Sequence, residues 1–523
     1  MTSTVRASPV GPGVRRVRAG SGPLPVVLAA AVVAAVTVAP LIIVVAQALP
    51  LGWTGAGAYL FRPRMAELLG NTVALVILTV PLTMLIGVGA AWLVERCVLP
   101  GVAVWRILLL APLAVPAFVA SYAWSSAWPS VSGLWGAVFV TTLAYYPFVY
   151  LPVAALLRTL DQGDVDSARA LGETAAGAAL RVVLPHLRPA LCGGALLVAL
   201  HLLAEFGVMQ MLRFSTLTTA IVQQYAIGFS DAAGSMLATV LIALCLLVLV
   251  IEVFARGRTR IARVGRGTRE QPVRASLGRW TAPVLAVLTA LVGLGVIVPV
   301  AVVLRWLLRA ALADAIDGPR LLATTGTTLL FACLAGLAVL AAALPGAWLL
   351  DRRRSAFSVA LERLTFVASA LPGVVVGLAL VTVAVHWARP IYQTVGLVVL
   401  AYLILFVPRA VVTWRAGLAA VPPELAEAGR SLGAGGVGTF TRVVLPIVAP
   451  SALTGFVLVF LATATELTAT LLLAPTGTET LATAFWAASD ELDYVASAPY
   501  AAVLILLSAP LTLLLHRRMA AVA

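Results

Sequence analysis

The stretch DSARALGETAAGAALRVVLP, residues 166–185, has a second copy in this chain. The second copy is EAGRSLGAGGVGTFTRVVLP, residues 427–446, and each of its positions lies 261 residues after its counterpart (427 − 166). The same offset relates Glu205 to Glu466. Because this register is kept without a gap, it predicts that the chain is a tandem duplication. We name the two stretches the first and the second repeat motif.

Both repeat motifs are polar and basic and lie between long apolar runs, which is typical of loops at a membrane surface. Gly172 and Gly433 suit a tight turn, because glycine adopts a positive φ easily. Pro185 and Pro446 bend or interrupt a helix and restrict the preceding residue. Each motif is therefore predicted to form a helix, a turn, a second helix and a sharp exit. An ordinary loop between helices is the alternative, and the repetition argues against it.

The acid, the glycine six residues later and the distant Leu-Pro resemble the cytoplasmic EAA loop of ABC importer permeases. The resemblance implies that each loop forms a short coupling helix that docks into a groove of a separate ATPase subunit, of which two copies are expected. The first motif departs from the family pattern at Asp166 and Ser167, and the second departs at Gly429. The coupling residues implied by the resemblance are Asp166, Ser167, Ala168, Gly172, Leu184, Pro185, Glu427, Ala428, Gly429, Gly433, Leu445 and Pro446.

The composition is that of a membrane protein. Of 523 residues, 62% are hydrophobic and 11% are charged, and the mean hydropathy is +1.05, whereas a soluble domain has about 25% charged residues. Soluble enzymes and soluble solenoids are therefore excluded. The net charge of +14 is interpreted as a sign of membrane topology and not of nucleic-acid binding. The four cysteines lack metal-site or disulfide spacing and are interpreted as apolar fillers.

Long apolar runs predict an all-α polytopic membrane protein with about twelve spans, six in each half. The resemblance implies the type I fold of ABC importer permeases. The predicted divisions are a disordered cytoplasmic N-terminal tail (1–23), a first permease half (24–255), an Arg-rich cytoplasmic linker (256–280) and a second permease half (281–523). The predicted spans are 24–49, 71–94, 103–126, 133–157, 190–212, 234–254, 281–309, 324–350, 364–388, 392–414, 450–473 and 497–515.

Arginine supplies every basic residue of the chain, and its distribution predicts the orientation. With the N-terminus inside, 28 of the 35 basic residues (35 − 7) face the cytoplasm, as the positive-inside rule requires. Arg409 is counted among these cytoplasmic residues. Both termini and both repeat motifs are then cytoplasmic, within reach of an ATPase. The Arg-rich linker is interpreted as an anchor on anionic lipid. We expect a multi-pass protein of the bacterial inner membrane.

Two glutamates occupy equivalent places in the apolar segments that follow the repeat motifs. Glu205 and Glu466 are predicted to line the translocation pathway, because an intramembrane carboxylate is costly and usually faces a wet cavity. The alternative is a structural hydrogen bond, and His201, four residues before Glu205, offers one partner. The equivalent of His201 in the second half is Ala462, so this pairing does not explain Glu466.

The sequence contains no catalytic constellation. The phosphate-binding pattern G-x-x-x-x-G-K-[ST] is missing, and no His, Cys and carboxylate cluster has metal-site spacing. The chain is therefore predicted to be a transport subunit and not an enzyme, with no cofactor and no assigned metal of its own. ATP and Mg belong to the partner ATPase. Polar stretches at 213–231 and 474–494 are expected on the outer side, either in contact with an extracytoplasmic solute-binding protein or simply solvated.

Segments around the two glutamates refine the resemblance. LAEFG (203–207) with TLTTAI (216–221), and TELTATLLL (465–473) with TLAT (480–483), are similar to ferric-iron importer permeases, which are fused chains of this length. The similarity implies ferric iron as the substrate, and a hard trivalent cation suits carboxylate ligands. Thiamine, phosphonate or polyamine permeases are alternatives. A proton- or ion-coupled secondary transporter is an alternative of another class, although such carriers do not need paired docking loops.

Overall fold

The fold described here comes from a computed structural model of the chain. The predicted N-terminal tail and most of the Arg-rich linker lie outside the residues that it describes. Within the described residues the chain is helical, and the one extended pairing is an isolated parallel bridge between Cys97 and Ala275. The prediction of an all-α polytopic membrane fold is confirmed. The described residues are 24–160, 162–227, 231–256, 274–352, 355–368 and 370–522.

The helices are numbered in chain order. Those of the first half are α1 (Leu24–Ala48), α2 (Gly52–Leu60), α3 (Pro63–Arg96), α4 (Val102–Leu108), α5 (Ala117–Ala127), α6 (Gly133–Tyr145), α7 (Pro147–Thr159), α8 (Gln162–Ala170), α9 (Ala175–Ala178), α10 (Leu184–Ala204), α11 (Gly207–Met211), α12 (Leu217–Ile227) and α13 (Asp231–Arg256). Those of the second half are α14 (Thr281–Val292), α15 (Val298–Leu312), α16 (Gly318–Arg352), α17 (Ala356–Ala368), α18 (Gly373–Trp387), α19 (Val395–Ala419), α20 (Pro423–Ser431), α21 (Gly436–Thr439), α22 (Leu445–Ala464), α23 (Thr468–Leu473), α24 (Leu481–Asp490) and α25 (Tyr494–Val522).

The predicted count of twelve spans is not confirmed. Within the described residues, nine helical stretches are long and apolar enough to cross a membrane, or ten if one bent pair counts as a span. That pair replaces the predicted span 103–126, and its two helices meet at 83°, close to Pro116, which lacks a backbone donor. The other two predicted spans, 364–388 and 497–515, overlap the shorter apolar helices Gly373–Trp387 and Tyr494–Pro510.

Two further predicted spans end earlier than the apolar pattern indicates. Helices α10 and α22 stop at a break in the chain, and the short helices α11 and α23 follow. The predicted spans 190–212 and 450–473 are therefore wrong at their C-terminal ends. Glu205 and Glu466, which were expected inside continuous helices, lie in the two breaks. Hydropathy does not detect these breaks, because the residues on both sides of each break are apolar.

The two halves share their hydrophobic cores. One core joins α5, α6 and α7 to α14, α15, α24 and α25 of the second half. The other joins α1, α12 and α13 to α16, α18 and α19. Contacts within a membrane stabilise mainly by close packing, since lipid is as apolar as the side chains. The halves are therefore intertwined, and the surfaces where they meet run through the middle of the molecule.

Candidate functional site

Each repeat motif begins with a short helix, α8 or α20, that ends in a turn at glycine. Gly172 has a φ of +94° and Gly433 has a φ of +86°. The amide of Glu173 donates to the carbonyl of Ala168 at 3.1 Å, and the second motif repeats this bond one residue after Gly433. This is the Schellman arrangement, in which a left-handed glycine closes the last helical turn. The turn predicted for each motif is present.

The start of each repeat motif is exposed. Asp166 and Glu427 lie on the outside of their short helices. Just before the turn, Leu171 and Leu432 are 87% and 88% exposed. One exposed leucine is ordinary on a protein surface. Here two such leucines lie at equivalent positions of the duplication, each in a motif that also has an exposed acid. The residues that directly follow these acids, Ser167 and Ala428, are also exposed.

The second residue after each acid, Ala168 or Gly429, packs inward. A Cβ added to Gly429 would lie 3.2 Å from Cγ2 of Val443, so the short helix lies close against the following one. Its counterpart Ala168 is half-buried. A small residue is therefore needed here for packing within the motif.

Both Leu-Pro pairs follow a widened helical turn. The π-helical turns are Ala179–Val183 and Phe440–Val444, and Pro185 and Pro446 lie in the first turn of α10 and α22. Proline cannot donate to the carbonyl four residues before it, and a π turn accommodates that missing bond. Such turns are frequent at functional sites. The predicted sharp exit at each Leu-Pro pair is therefore wrong: the helical stretches Ala179–Ala204 and Gly436–Ala464 continue through both prolines. Leu184 is exposed and Leu445 is half-buried.

Glu205 lies in the break after α10 and caps the short helix α11. Its Oε1 accepts a hydrogen bond from the amide of Val208 at 3.2 Å, and its Oε2 accepts one from the hydroxyl of Tyr145. His201 does not serve as the partner considered from the sequence, because its Nδ1 bonds to the carbonyl of Leu197 at 2.8 Å. Glu205 as a whole residue is half-buried.

Glu466 lies in the equivalent break and caps α23. Its Oε1 accepts from the amide of Ala469 at 3.0 Å. Its Oε2 accepts from the amide and from the hydroxyl of Thr470, at 3.1 and 3.0 Å. The same hydroxyl lies 2.7 Å from the hydroxyl of Tyr402. Both glutamates therefore make structural hydrogen bonds, which was the alternative to a role in lining the path.

The two breaks also border one cavity between the halves, which we name the central cavity. Gly207 of the first break lies so close to the second that an added Cβ would be 3.2 Å from Cδ2 of Leu467. The cavity has a volume of about 280 Å³, and a water molecule occupies about 30 Å³, so a small hydrated or ligated ion fits. Its polar and aromatic lining includes Tyr145, Phe148, His201, Glu205, Phe406, Arg409 and Glu466.

Arg409 is a functional candidate that the sequence reasoning missed. The positive-inside count placed it at the cytoplasmic surface, whereas the structure places it inside α19, lining the central cavity. That assignment is corrected: the helix continues ten residues beyond Arg409 to Ala419, about 15 Å at the usual rise. The sequence did offer a sign of this position, because Arg409 lies five residues before the C-terminal end of the predicted span 392–414. The other arginines still predict an excess of positive charge on the cytoplasmic side.

The cavity side chains differ between the halves although the backbones correspond. At the offset of 261 residues, Tyr145 corresponds to Phe406, and Phe148 corresponds to Arg409. His201, whose ring packs on Phe148 with centroids 4.6 Å apart, corresponds to Ala462. Only the glutamates are the same on both sides. The central cavity is therefore symmetric in its carboxylates and asymmetric in its other polar groups.

The threonines that follow the breaks have structural partners. The hydroxyl of Thr219 accepts from the amide of Thr216 at 2.8 Å, and Leu217 donates to the hydroxyl of Thr72 at 3.1 Å. The second half repeats the pattern with Thr480, Leu481, Thr483 and Thr328. Buried residues of the stretches 213–231 and 474–494 are thus used for packing. The exposed acids of the second stretch are Asp490, Glu491 and Asp493.

Side chains suited to a metal do not cluster in the described parts of the chain. Across these residues, no group of three or more His, Cys, Asp and Glu side chains is placed to hold a metal ion.

The chain matches known transport proteins over most of its length. Residues 48–260 and 335–523 match the family described as binding-protein-dependent transport system inner membrane component. The chain is 34% identical over 472 residues to the Fe(3+)-transport system permease protein FbpB 2 of Haemophilus influenzae, covering 90% of this chain and 93% of that protein. It is 29% identical over 212 residues to the sulfate transport system permease protein CysW of Synechocystis sp., covering 36% of this chain and 75% of that protein.

The family match falls in two segments, one in each half, which agrees with the duplication seen in the repeat motifs. The two matched segments contain the repeat motifs, the helix breaks and the residues named in the lining of the central cavity. The chain therefore belongs to the inner-membrane permease components of binding-protein-dependent ABC transport systems.

Proposed function

We propose that this chain forms the translocation pathway of a ferric-iron importer and couples that pathway to a separate ATPase. The observation that carries the proposal is the central cavity, where helix breaks from both halves bring Glu205 and Glu466 to one space. A path at the junction of two repeats opens and closes when the repeats move against each other. Carboxylate oxygens suit a hard trivalent cation. The Haemophilus influenzae relative, named as an Fe(3+) permease, supports iron as the cargo.

The site in the central cavity favours brief binding. Both carboxylates already accept hydrogen bonds from their own breaks, from Val208 in one case and from Ala469 in the other. Oε2 of Glu466 accepts two hydrogen bonds, but the other carboxylate oxygens each keep a lone pair, so both glutamates can still contact a passing cation. A transporter must release its cargo, which requires weak binding along the path. Tight binding is assigned to an extracytoplasmic solute-binding protein.

Coupling is assigned to the two repeat motifs. Each presents an exposed acid and an exposed leucine, Asp166 with Leu171 and Glu427 with Leu432, on a short helix held by a glycine turn. A rigid helix that projects from the bundle can transmit the movement of a partner to α10 or α22, which follows directly. In this proposal an ATPase with its ATP and Mg, expected in two copies, binds both motifs. The chain itself is not an enzyme.

The cargo is tested by uptake. In a strain that lacks this chain, we expect ⁵⁵Fe(III) accumulation under iron limitation to fall to the background of unenergised cells, and the intact chain to restore it. Labelled thiamine, phosphonate, polyamine and sulfate are measured in parallel. Unchanged iron uptake together with loss of another solute would replace iron by that solute. Loss of no solute would contradict the translocation role.

The orientation is tested by labelling. Both termini and both repeat motifs are proposed to be cytoplasmic. In a variant without native cysteines, Gly265→Cys in the linker should be protected from a membrane-impermeant thiol reagent in intact cells. Asp490→Cys should be labelled, since Asp490 is exposed and its stretch is proposed to face outward. Labelling of both after permeabilisation is the control. The opposite pattern in intact cells would place the repeat motifs outside and exclude contact with a cytoplasmic ATPase.

A further inference from the structure

We propose that Arg409 is an anion-binding residue of the central cavity and holds an anionic oxygen group of the transported species. This inference rests on the proposed translocation pathway through that cavity. It adds a ligand class, an oxyanion, that the carboxylates alone do not bind.

Arg409 has no protein anion to pair with in this conformation. Among the described residues, its guanidinium makes no ion pair and no hydrogen bond, and its contact is the ring of Phe406, with a centroid 4.9 Å away. Charged side chains inside a membrane protein normally pair with each other or with backbone carbonyls. An isolated guanidinium that lines a cavity is therefore suited to a ligand that carries negative charge.

The nearby carboxylates are engaged elsewhere. Glu205 accepts from Tyr145 and Val208, and Glu466 accepts from Ala469 and Thr470. Their positions are fixed by the caps of α11 and α23. Two carboxylates from the breaks, Glu205 and Glu466, thus line the cavity as acceptors. The guanidinium of Arg409, on α19, lines it as a planar group of hydrogen-bond donors, which we call the donor fork.

The charge balance of the cavity favours a cation that travels with an anion. With both carboxylates ionised, Glu205, Glu466 and Arg409 together carry one net negative charge. A bare ferric ion would leave a net charge of two positive units in a poorly solvated space, where charge is expensive. A ferric ion with a doubly charged oxyanion would leave none. Arg409 is also suited by shape, since the planar guanidinium binds two oxygens of one anion at once.

The guanidinium of Arg409 has no counterpart in the first half of the duplication. The counterpart of Arg409 is Phe148, which packs against His201. If the charge served only to hold helices together, both halves would have use for it, since both breaks are built alike. A single cation on one wall instead orients a ligand, with the anion toward α19 and the metal toward the two breaks.

Uptake of doubly labelled cargo tests the proposal. Cells without the native chain express the intact chain, Arg409→Gln, Arg409→Lys or the control Arg389→Gln, with membrane amounts measured by immunoblot. Arg389 is exposed, and its Nε donates to the carbonyl of Val385 in its own segment. The cells receive ⁵⁵Fe(III) with ³²P-phosphate, ¹⁴C-carbonate, ³⁵S-sulfate or ¹⁴C-citrate. Entry of iron and of each anion is followed separately.

We expect Arg409→Gln to slow uptake at least about tenfold, the loss of one charge-assisted contact. Arg409→Lys keeps the charge but loses the fork, so it should transport at an intermediate rate and need a higher anion concentration. Arg389→Gln should match the intact chain. Normal transport by Arg409→Gln, or failure of all four anions to enter with the intact chain, would overturn the proposal. If Arg409→Gln does not reach the membrane, the anion dependence of Arg409→Lys decides.

Three outcomes show how this proposal stands relative to the iron proposal. Entry of one anion with iron in a fixed ratio, lost in Arg409→Gln, supports both. Entry of one anion without iron supports the anion site and contradicts iron as the cargo. A third result would contradict the anion site alone: if Glu466→Gln or Glu205→Gln restores transport to Arg409→Gln, the arginine serves as an internal counter-ion of the glutamates.

Discussion

The first and the second half build the same scaffold around different cavity chemistry. Both repeat motifs close with a left-handed glycine, Gly172 or Gly433, and both pass through a π turn before the next helix. Both breaks are capped by a glutamate. Yet the walls facing the cavity carry Tyr145 and His201 on one side and Arg409 on the other. The turns and the caps are the same in both halves, whereas the side chains that line the central cavity differ, apart from the two glutamates.

This difference separates positions that the shared backbone requires from positions that it leaves free to vary. A positive φ or a helix cap is required wherever the backbone takes that path, so both copies retain it. The backbone path imposes no such requirement on Tyr145, His201 or Arg409, and their counterparts differ. The two motifs should therefore respond alike to equivalent changes, and the two cavity walls should not.

The largest effect is expected at the turns of the repeat motifs. Valine at Gly172 or Gly433 must adopt a left-handed φ, which costs about 1–3 kcal/mol for a residue with a branched Cβ. We expect each change to displace the short helix, to abolish co-purification of the ATPase and to lower iron uptake at least about tenfold. Immunoblots of membranes should show normal amounts of the chain.

The control for this prediction is Gly435→Val. Gly435 belongs to the same motif but has a φ of −61° and open space where a Cβ would be, so transport should persist. A strong effect at only one of Gly172 and Gly433 would show that one motif dominates. Normal uptake and normal ATPase binding in both variants would contradict the coupling role.

A smaller and unequal effect is expected at the glutamates. Glu205→Gln and Glu466→Gln remove a charge and keep the size. Both oxygens of Glu466 accept from backbone amides, so the glutamine NH₂ would face a donor. One oxygen of Glu205 faces the Tyr145 hydroxyl, which can reorient to accept. Both variants should slow iron uptake, and Glu466→Gln alone should melt at a clearly lower temperature in detergent.

The double glutamate variant sharpens this comparison. If the carboxylates act together on one cation, the loss of uptake in the double variant should be smaller than the product of the single losses. The exposed Glu67→Gln, which is removed from the cavity, is the control. Full-rate uptake by both single variants would make the glutamates purely structural, and equal melting temperatures would contradict the described caps.

The smallest effect is expected from Tyr145→Phe. The change places phenylalanine at this position in both halves, since the counterpart of Tyr145 is Phe406. The change removes one hydrogen bond to Glu205, worth about 1 kcal/mol, or about fivefold in uptake. Tyr146→Phe is a matched control, because the neighbouring hydroxyl is buried and has no hydrogen-bond partner among the described residues. An equal effect of both changes would indicate that this region responds to packing and not to the bond with Glu205.

The sequence by itself determined the duplication, the helical membrane fold, the turns of both repeat motifs and the equivalence of Glu205 and Glu466. These features depend on local rules: apolar length, the freedom of glycine and the missing donor of proline. They also depend on register, which needs no knowledge of distance in space. The resemblance of the repeat motifs to ABC importer permeases rested on the same local information and agrees with the family.

Only the tertiary structure decided where the spans break, how deep Arg409 lies and which groups meet in the central cavity. The partner of Glu205 is a tyrosine 60 residues away, and Gly207 approaches Leu467 of the other half. The breaks persist because the glutamate side chains accept from the freed backbone amides and because the two halves pack against each other there. Mean hydropathy describes neither hydrogen bonds nor packing. Arg409 was misplaced for the same reason: an arginine near the end of an apolar run looks superficial until the helix is seen to continue past it.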